Sequence, residues 1–185
     1  MLGGTFNPIH LGHIKMALDV HYTLGYDEVQ LVPNYSPPLK IMDSEITVRN
    51  RVEMIKLAIN DYPFLSVNDF EIDDKKISYT INTIKHIYET KKFDDKLGLI
   101  IGCDQAQQFE RWKNWEEILT LVDIIIAKRG GKLEFNHPFI RLETEIPDIS
   151  STQIRNYPMS QTSILNLNSN VIRYIISNKL YGVDQ

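Results

Sequence analysis

The eleven residues from Gly3 to His13, GGTFNPIHLGH, constrain this chain more than any other stretch. Gly3 and Gly4 carry no Cβ, so their backbone can approach a ligand closely and can take φ > 0. Pro8 fixes its own φ and pushes Asn7 out of the helical region. His10 and His13 lie three apart, directly before an amphipathic stretch. Once a helix starts they share one face near its N-terminus, where free N–H groups attract phosphate. Together these residues describe a place that holds a polyphosphate and manages its charge with imidazoles.

Composition narrows the alternatives. At 185 residues the chain suits one domain over 1–185. A net charge of −4 argues against bulk nucleic-acid binding, which shows a basic face, so any phosphate site must be a local basic pocket. The single cysteine, Cys103, excludes an intrachain disulfide and a thiolate-rich metal site, and reads as a small buried residue at a strand end. No signal peptide is visible, and no stretch approaches the ~20 apolar residues of a membrane span, so a cytoplasmic protein is expected.

Strand-like and helix-like segments alternate. Helices are predicted over 14–24, 47–60 and 78–90, from near Thr152, and over 171–180, the last ended by Gly182. Ser150 or Ser151 can cap the helix near Thr152. Short apolar runs at 28–32, 97–101 and 121–127 read as strands, and 65–72 as a strand pair or bent strand. Fully apolar strands between helices predict an α/β, doubly wound, mostly parallel sheet with helices on both faces. Ligands of such sheets sit at the carboxyl ends of the strands, where strand order reverses. Only Met1 and Leu2 precede Gly3, too few for the usual strand of about five residues. That predicts a start assigned late or a shortened chain, with the sheet weakened more than the chemistry.

Gly3–His13 resembles the HxGH signature of the nucleotidyltransferase superfamily, GxFxPxHxGH, at every fixed position. A second signature, ISSTxIR, is matched by Ile149-Ser150-Ser151-Thr152-Gln153-Ile154-Arg155. Further strings resemble the bacterial nicotinate-mononucleotide adenylyltransferases. PNYSPPLK, residues 33–40, is close to PNxxPPHK, with Leu39 in place of a frequent His. Residues 78–83, SYTINT, match SYTxDT. Gly102-Cys103-Asp104 matches GAD, and Trp112 lies in FERWKNW. Arg51 matches an Arg that begins the family's next helix, as a structural or a ligand residue. Lys128-Arg129-Gly130 departs from the usual RPG. The resemblance spans Gly3 to about Gly182.

The resemblance implies a Rossmann-like nucleotidyltransferase fold. It implies attack by the 5′-phosphate of nicotinate mononucleotide on the α-phosphorus of ATP, giving nicotinate adenine dinucleotide and pyrophosphate. His10, His13 and Arg155 are then the catalytic residues. Gly3, Gly4, Thr5, Phe6, Lys40, Gly102, Asp104, Arg129, Ser151 and Thr152 line the ATP site, completed by the helical part from about 150 to 185. Thr80 and the Lys113 backbone N–H hold the nicotinate carboxylate and Trp112 stacks on the pyridine, while Trp115 belongs to the core. Ser78 and Thr80 also read as helix N-caps. Mg²⁺ is expected on the ATP phosphates, with no protein-bound metal, no nucleic-acid or membrane partner, and a monomer or small homo-oligomer. The alternatives are phosphopantetheine or nicotinamide-mononucleotide adenylyl transfer, or a non-catalytic nucleotide-binding protein of the same fold.

Overall fold

Short apolar strands do alternate with helices in the structure, a computed structural model that describes residues 1–36, 46–127 and 135–183. The order is β1 (Leu2–Gly4), α1 (Leu11–Leu24), β2 (Val29–Pro33), α2 (Val48–Ile59), β3 (Leu65–Val67), α3 (Phe70–Asp74) and α4 (Thr80–Thr90). Then follow β4 (Leu97–Gly102), α5 (Cys103–Ala106), α6 (Trp115–Leu121), β5 (Val122–Ala127) and β6 (Ile140–Leu142). The chain continues through α7 (Ser151–Asn156), α8 (Gln161–Leu165) and α9 (Ser169–Ser177). The six strands form one sheet in the order β3-β2-β1-β4-β5-β6, each neighbouring pair parallel. Strand order reverses between β1 and β4, so the crevice opens at the carboxyl ends of those two strands.

Alternation of side chains across the pleat splits the core in two. Ile100 of β4 faces a layer built from α1, α2 and α9, through Ile14, Met54, Ile55, Val171 and Ile175. Its neighbours Leu99 and Ile101 face the opposite layer of α4, α5 and α6, through Ile84, Ala106 and Ile118. Each fully buried aliphatic side chain contributes about 1.5–3 kcal/mol. Both faces are covered, which is why β4 reads as an unbroken apolar run and β5 is interrupted only by Asp123.

β1 forms with three residues at the centre of the sheet, short as it is. Leu2, Gly3 and Gly4 pair with Leu31, Val32 and Pro33, and Leu2 also pairs with Ile100. Ile100 N–H donates to Met1 O at 2.9 Å, and the Met1 amino group donates to Gly98 O at 2.6 Å. β1 is thus bonded to strands on both sides.

Several element boundaries differ from the periodicity. α1 begins at Leu11, three residues before the predicted start; His10 is its N-cap residue, and the His10 backbone N–H donates to His13 Nδ1. β3 stops at Val67, where Asn68 Oδ1 accepts from Phe70 N–H at 3.1 Å and turns the chain into α3. The position before α4 is Tyr79; Ser78 is not its cap, and Ser78 Oγ accepts from Tyr35 N–H at 2.9 Å instead. Ser150 is the residue that caps α7, accepting from Gln153 N–H at 3.2 Å. α8, which no periodicity announced, is a single short turn capped by Ser160. The last helix runs over 169–177, earlier than 171–180, and Gly182 sits in a separate 3-10 turn. Cys103 opens α5 half-buried, its Sγ 3.6 Å from Ala127 O, and so is not a buried strand end.

Gly98 lets β4 pass beneath Tyr26 and Ile125: a Cβ there would lie 2.8 Å from both side chains. Gly98→Ala should cost about 1–3 kcal/mol through overpacking, read as a lower urea midpoint with unchanged slope. An unchanged midpoint would show that this layer has room to spare.

Candidate active site

The loop after β1 sits at the strand-order reversal. Gly3 and Gly4 are extended within β1, not left-handed; the residue at positive φ is Phe6, at 49°. The Phe6 ring is buried against Gly4, where a Cβ would lie 3.0 Å from it, while a Cβ on Gly3 would meet nothing within 4 Å. Gly4 is therefore required for packing, and Gly3 borders open space. The Asn7–Pro8 peptide is cis.

His10 occupies the N-cap of α1 and His13 the third helical position. His10 N–H donates to His13 Nδ1 at 3.3 Å, the return half of a capping box normally supplied by Glu or Gln. That leaves Nε2 as the donor nitrogen of the neutral His13 ring. The two rings lie 3.8 Å apart, and His13 also meets the edge of Phe6 at 5.1 Å. Gly12 between them is needed for space: a Cβ would lie 3.0 Å from His10 Nδ1 and 3.1 Å from Ile146.

Four donors from distant elements hold Thr5, Asn7 and Pro8 of this loop. Arg51 of α2 is fully buried, and its Nη1 and Nη2 donate to Thr5 O and Asn34 O, each at 2.7 Å. Burial pulls its guanidinium pKa down. Arg155 Nη1 donates to Asn7 O at 2.8 Å and Nη2 to Thr152 Oγ1 at 3.1 Å. Ser151 Oγ donates to Pro8 O at 2.9 Å. Tyr181 O–H donates to Asn7 Oδ1 at 2.7 Å. Asn34 Nδ2 adds a bond to Thr5 Oγ1 at 3.3 Å. The loop has no secondary structure of its own, so these side chains do the work that a strand or helix would do.

A cleft of about 620 Å³ opens from this loop across the ends of β1 and β4. Gly3, Gly4 and Thr5 line one part of it, and Thr80, Trp112 and Lys113 another. Asp104 also borders it, folded over Gly102 so that a Cβ there would lie 2.7 Å from Asp104 Oδ1. Trp112 packs on Phe109 at 5.4 Å, and Lys113 Nζ lies 4.4 Å above the Tyr79 ring. Arg111 and Lys113 supply positive charge along the wall of a net-acidic chain. Glu71 lies at the same wall, its carboxyl accepting from Thr83 Oγ1 at 2.5 Å. Burial pushes the Glu71 pKa up, against the Thr83 and Ser78 hydrogen bonds.

The sequence-predicted residues thus fall into two groups. Gly3, Gly4, Thr5, Thr80, Asp104, Trp112 and Lys113 share the cleft. His10, His13, Ser151, Thr152 and Arg155 gather around residues 6–8 of the same loop. Trp115 is half-buried, packed on Phe109 and His137. Lys40 and Arg129 lie outside the described residues. Sequence reasoning passed over Tyr181, Asn34 and Glu71. Arg51, open in sequence to a structural or a ligand role, is structural here, in keeping with its place on the apolar stripe of α2 with Val52, Ile55 and Ile59.

A glycine-bearing loop after the first strand, a cleft at the strand-order reversal and a cluster of cations suit a nucleotide carrying several phosphates. The cytidylyltransferase-like family model matches residues 1–157. A probable nicotinate-nucleotide adenylyltransferase of Borrelia garinii subsp. bavariensis is 37% identical over 98% of this chain and 93% of its own length. A protein of the same name from Caldicellulosiruptor saccharolyticus is 36% identical over 98% and 97%. The solved Plasmodium falciparum nicotinic acid mononucleotide adenylyltransferase, complexed with NaAD, aligns with a TM-score of 0.79 at 20% identity, covering 99% of this chain and 96% of that one. The chain belongs to the cytidylyltransferase-like nucleotidyltransferases and, within them, to the nicotinate-nucleotide adenylyltransferases. Among the described residues no helix is long and apolar enough to cross a membrane.

Arg51→Met keeps the bulk of the side chain and removes both donors. With Thr5 O and Asn34 O left unpaired, the loss should be ~2–4 kcal/mol, measured by urea unfolding. A variant as stable as wild type would show that the guanidinium does not hold the loop.

Proposed function

We propose that this chain transfers the adenylyl group of ATP to nicotinate mononucleotide, releasing pyrophosphate and giving nicotinate adenine dinucleotide for NAD biosynthesis. The observation that carries the proposal is the cleft itself. One space of about 620 Å³ runs from the phosphate loop to Trp112 and Thr80, so donor and acceptor can meet inside it.

The acceptor's 5′-phosphate is ionised near neutral pH, since the second pKa of a phosphate monoester is about 6. Its oxygen attacks the α-phosphorus, and the bond from that phosphorus to the bridging oxygen breaks, with the electron pair leaving on pyrophosphate. No general base is required. What the protein supplies is position and charge. In this reading His13 donates from Nε2 to the α-phosphate as charge develops, and His10 and Thr5 orient the phosphates. Arg155, Lys40 and Thr152 take the departing pyrophosphate; Ser151 supports them by holding the loop at Pro8. Asp104 and Gly102 serve the ribose, and Arg129 the adenosine side. Trp112 stacks on the pyridine, and Thr80 with the Lys113 N–H holds its carboxylate.

Among the described residues no group of three or more His, Cys, Asp and Glu side chains converges as a metal cage. A hard cation such as Mg²⁺, held by triphosphate oxygens and water, fits that donor set and would neutralise charge on the leaving group. The segment from about 150 to 185 completes the ATP end of a single domain over 1–185.

His13→Gln keeps a capping-box residue at the third position of α1 and removes the imidazole. Turnover should fall by a factor on the order of 10³, with a thermal midpoint close to wild type. Trp112→Ala should raise KM for nicotinate mononucleotide about tenfold, with KM for ATP unchanged. Near-normal turnover in the first variant, or equal shifts in both KM values in the second, would contradict these roles.

A further inference from the structure

Tyr181 has no part in the chemistry above, yet the chain takes an unfavourable course to place it. After α9 the backbone turns back with Lys179 at φ 52°, Tyr181 at 58° and Gly182 at 71°. Glycine accepts that conformation freely, whereas a residue with a Cβ is crowded in it. The turn delivers one hydrogen bond across the molecule: the phenol O–H donates to Asn7 Oδ1 at 2.7 Å. The same oxygen lies 3.9 Å from Met54 Sδ, so the ring is seated on α2 rather than turned to solvent.

Asn7 is buried inside the phosphate loop and is held at two points. Tyr181 takes its side-chain oxygen and Arg155 Nη1 takes its backbone oxygen at 2.8 Å. Two further carbonyls of the loop are also held, Thr5 O by Arg51 and Pro8 O by Ser151. The side chain of Asn7 is thus a separate clamp, contributed by the last turn of the described chain. Burial pushes the phenol pKa up, against the nearby Arg155 and Arg51 charges, so the hydroxyl keeps its proton and remains a donor.

We propose that Tyr181 is a positioning residue for adenylyl transfer: through Asn7 it locks the loop at residues 5–8 in the shape that holds the triphosphate, without touching substrate. The proposal rests on the adenylyl-transfer reading of this loop.

Tyr181→Phe keeps the ring, its seat on Met54 and the backbone turn, and removes only the O–H. Its kcat with ATP and nicotinate mononucleotide should fall about tenfold, the value of one hydrogen bond of about 1.4 kcal/mol, with KM for nicotinate mononucleotide unchanged. Adding Tyr181→Phe to Asn7→Ala should cause no further loss, since both remove the same contact. Without substrate, amide hydrogen exchange should quicken in a peptide covering residues 3–13 and stay unchanged in one covering α4. Wild-type kcat and wild-type exchange at 3–13 would overturn the proposal, as would additive losses in the double variant. Faster exchange everywhere, α4 included, would overturn it too, by showing a role in global stability alone. If the wild-type protein forms no dinucleotide, the adenylyl-transfer reading fails, and the exchange comparison still decides whether Tyr181 holds the loop.

Discussion

The buried guanidinium of Arg51 is the contact on which the rest of the site depends. A loop between β1 and α1 that must lie open to a ligand cannot bury itself in a ladder of backbone bonds, yet its carbonyl oxygens still need partners. Arg51 meets that need from below, joining Thr5 of the loop to Asn34 beyond β2. It also carries a positive charge into the floor of the site, set against carbonyl dipoles. Arg155 and Tyr181 then fasten Asn7, and Ser151 fastens Pro8. Three stretches far apart in sequence, in α2, in α7 and after α9, converge on three loop residues, Thr5, Asn7 and Pro8. The fold brings them together because α2 and α9 pack on the same face of the sheet.

This arrangement explains how an acidic chain can favour a polyphosphate. The net charge of −4 belongs to the whole chain, while Arg51 and Arg155 sit at the loop and Arg111 and Lys113 line the cleft beside Asp104 and Glu71. Charge stabilisation is strongest where donors are already fixed before the reaction begins. A loop whose Thr5, Asn7 and Pro8 carbonyls are each clamped by a side chain is fixed in that sense. The HxGH spacing acquires a structural meaning too: His13 closes a capping box with His10, and Gly12 leaves room for the His10 ring.

Much of this was legible in the residues. The apolar runs at 97–101 and 121–127 gave β4 and β5 to within two residues, because a sheet covered on both faces leaves no polar alternation to confuse them. The residues Gly3–Thr5, Thr80, Asp104, Trp112 and Lys113, all picked out by motif, line one cleft. Other features depend on contacts that no local pattern encodes. The left-handed backbone falls on Phe6 and not on the glycines, because the ring needs to reach the space beside Gly4. β3 ends early because the Asn68 side chain competes for the backbone. Tyr181 looks like an ordinary aromatic near a helix end; only its long-range bond to Asn7 distinguishes it.

The central claim is that this cleft joins a pyridine mononucleotide bearing a carboxylate to ATP. The most direct measurement is pyrophosphate release from ATP and Mg²⁺, with nicotinate mononucleotide and nicotinamide mononucleotide compared in parallel. The account predicts release with the acid at a kcat/KM at least tenfold above that with the amide, the effect of about 1.4 kcal/mol from one charge-assisted contact to the carboxylate. Equal release with both would contradict the placement of Thr80 and the Lys113 N–H at the carboxylate. Release with neither, from folded protein, would contradict the adenylyl-transfer account itself.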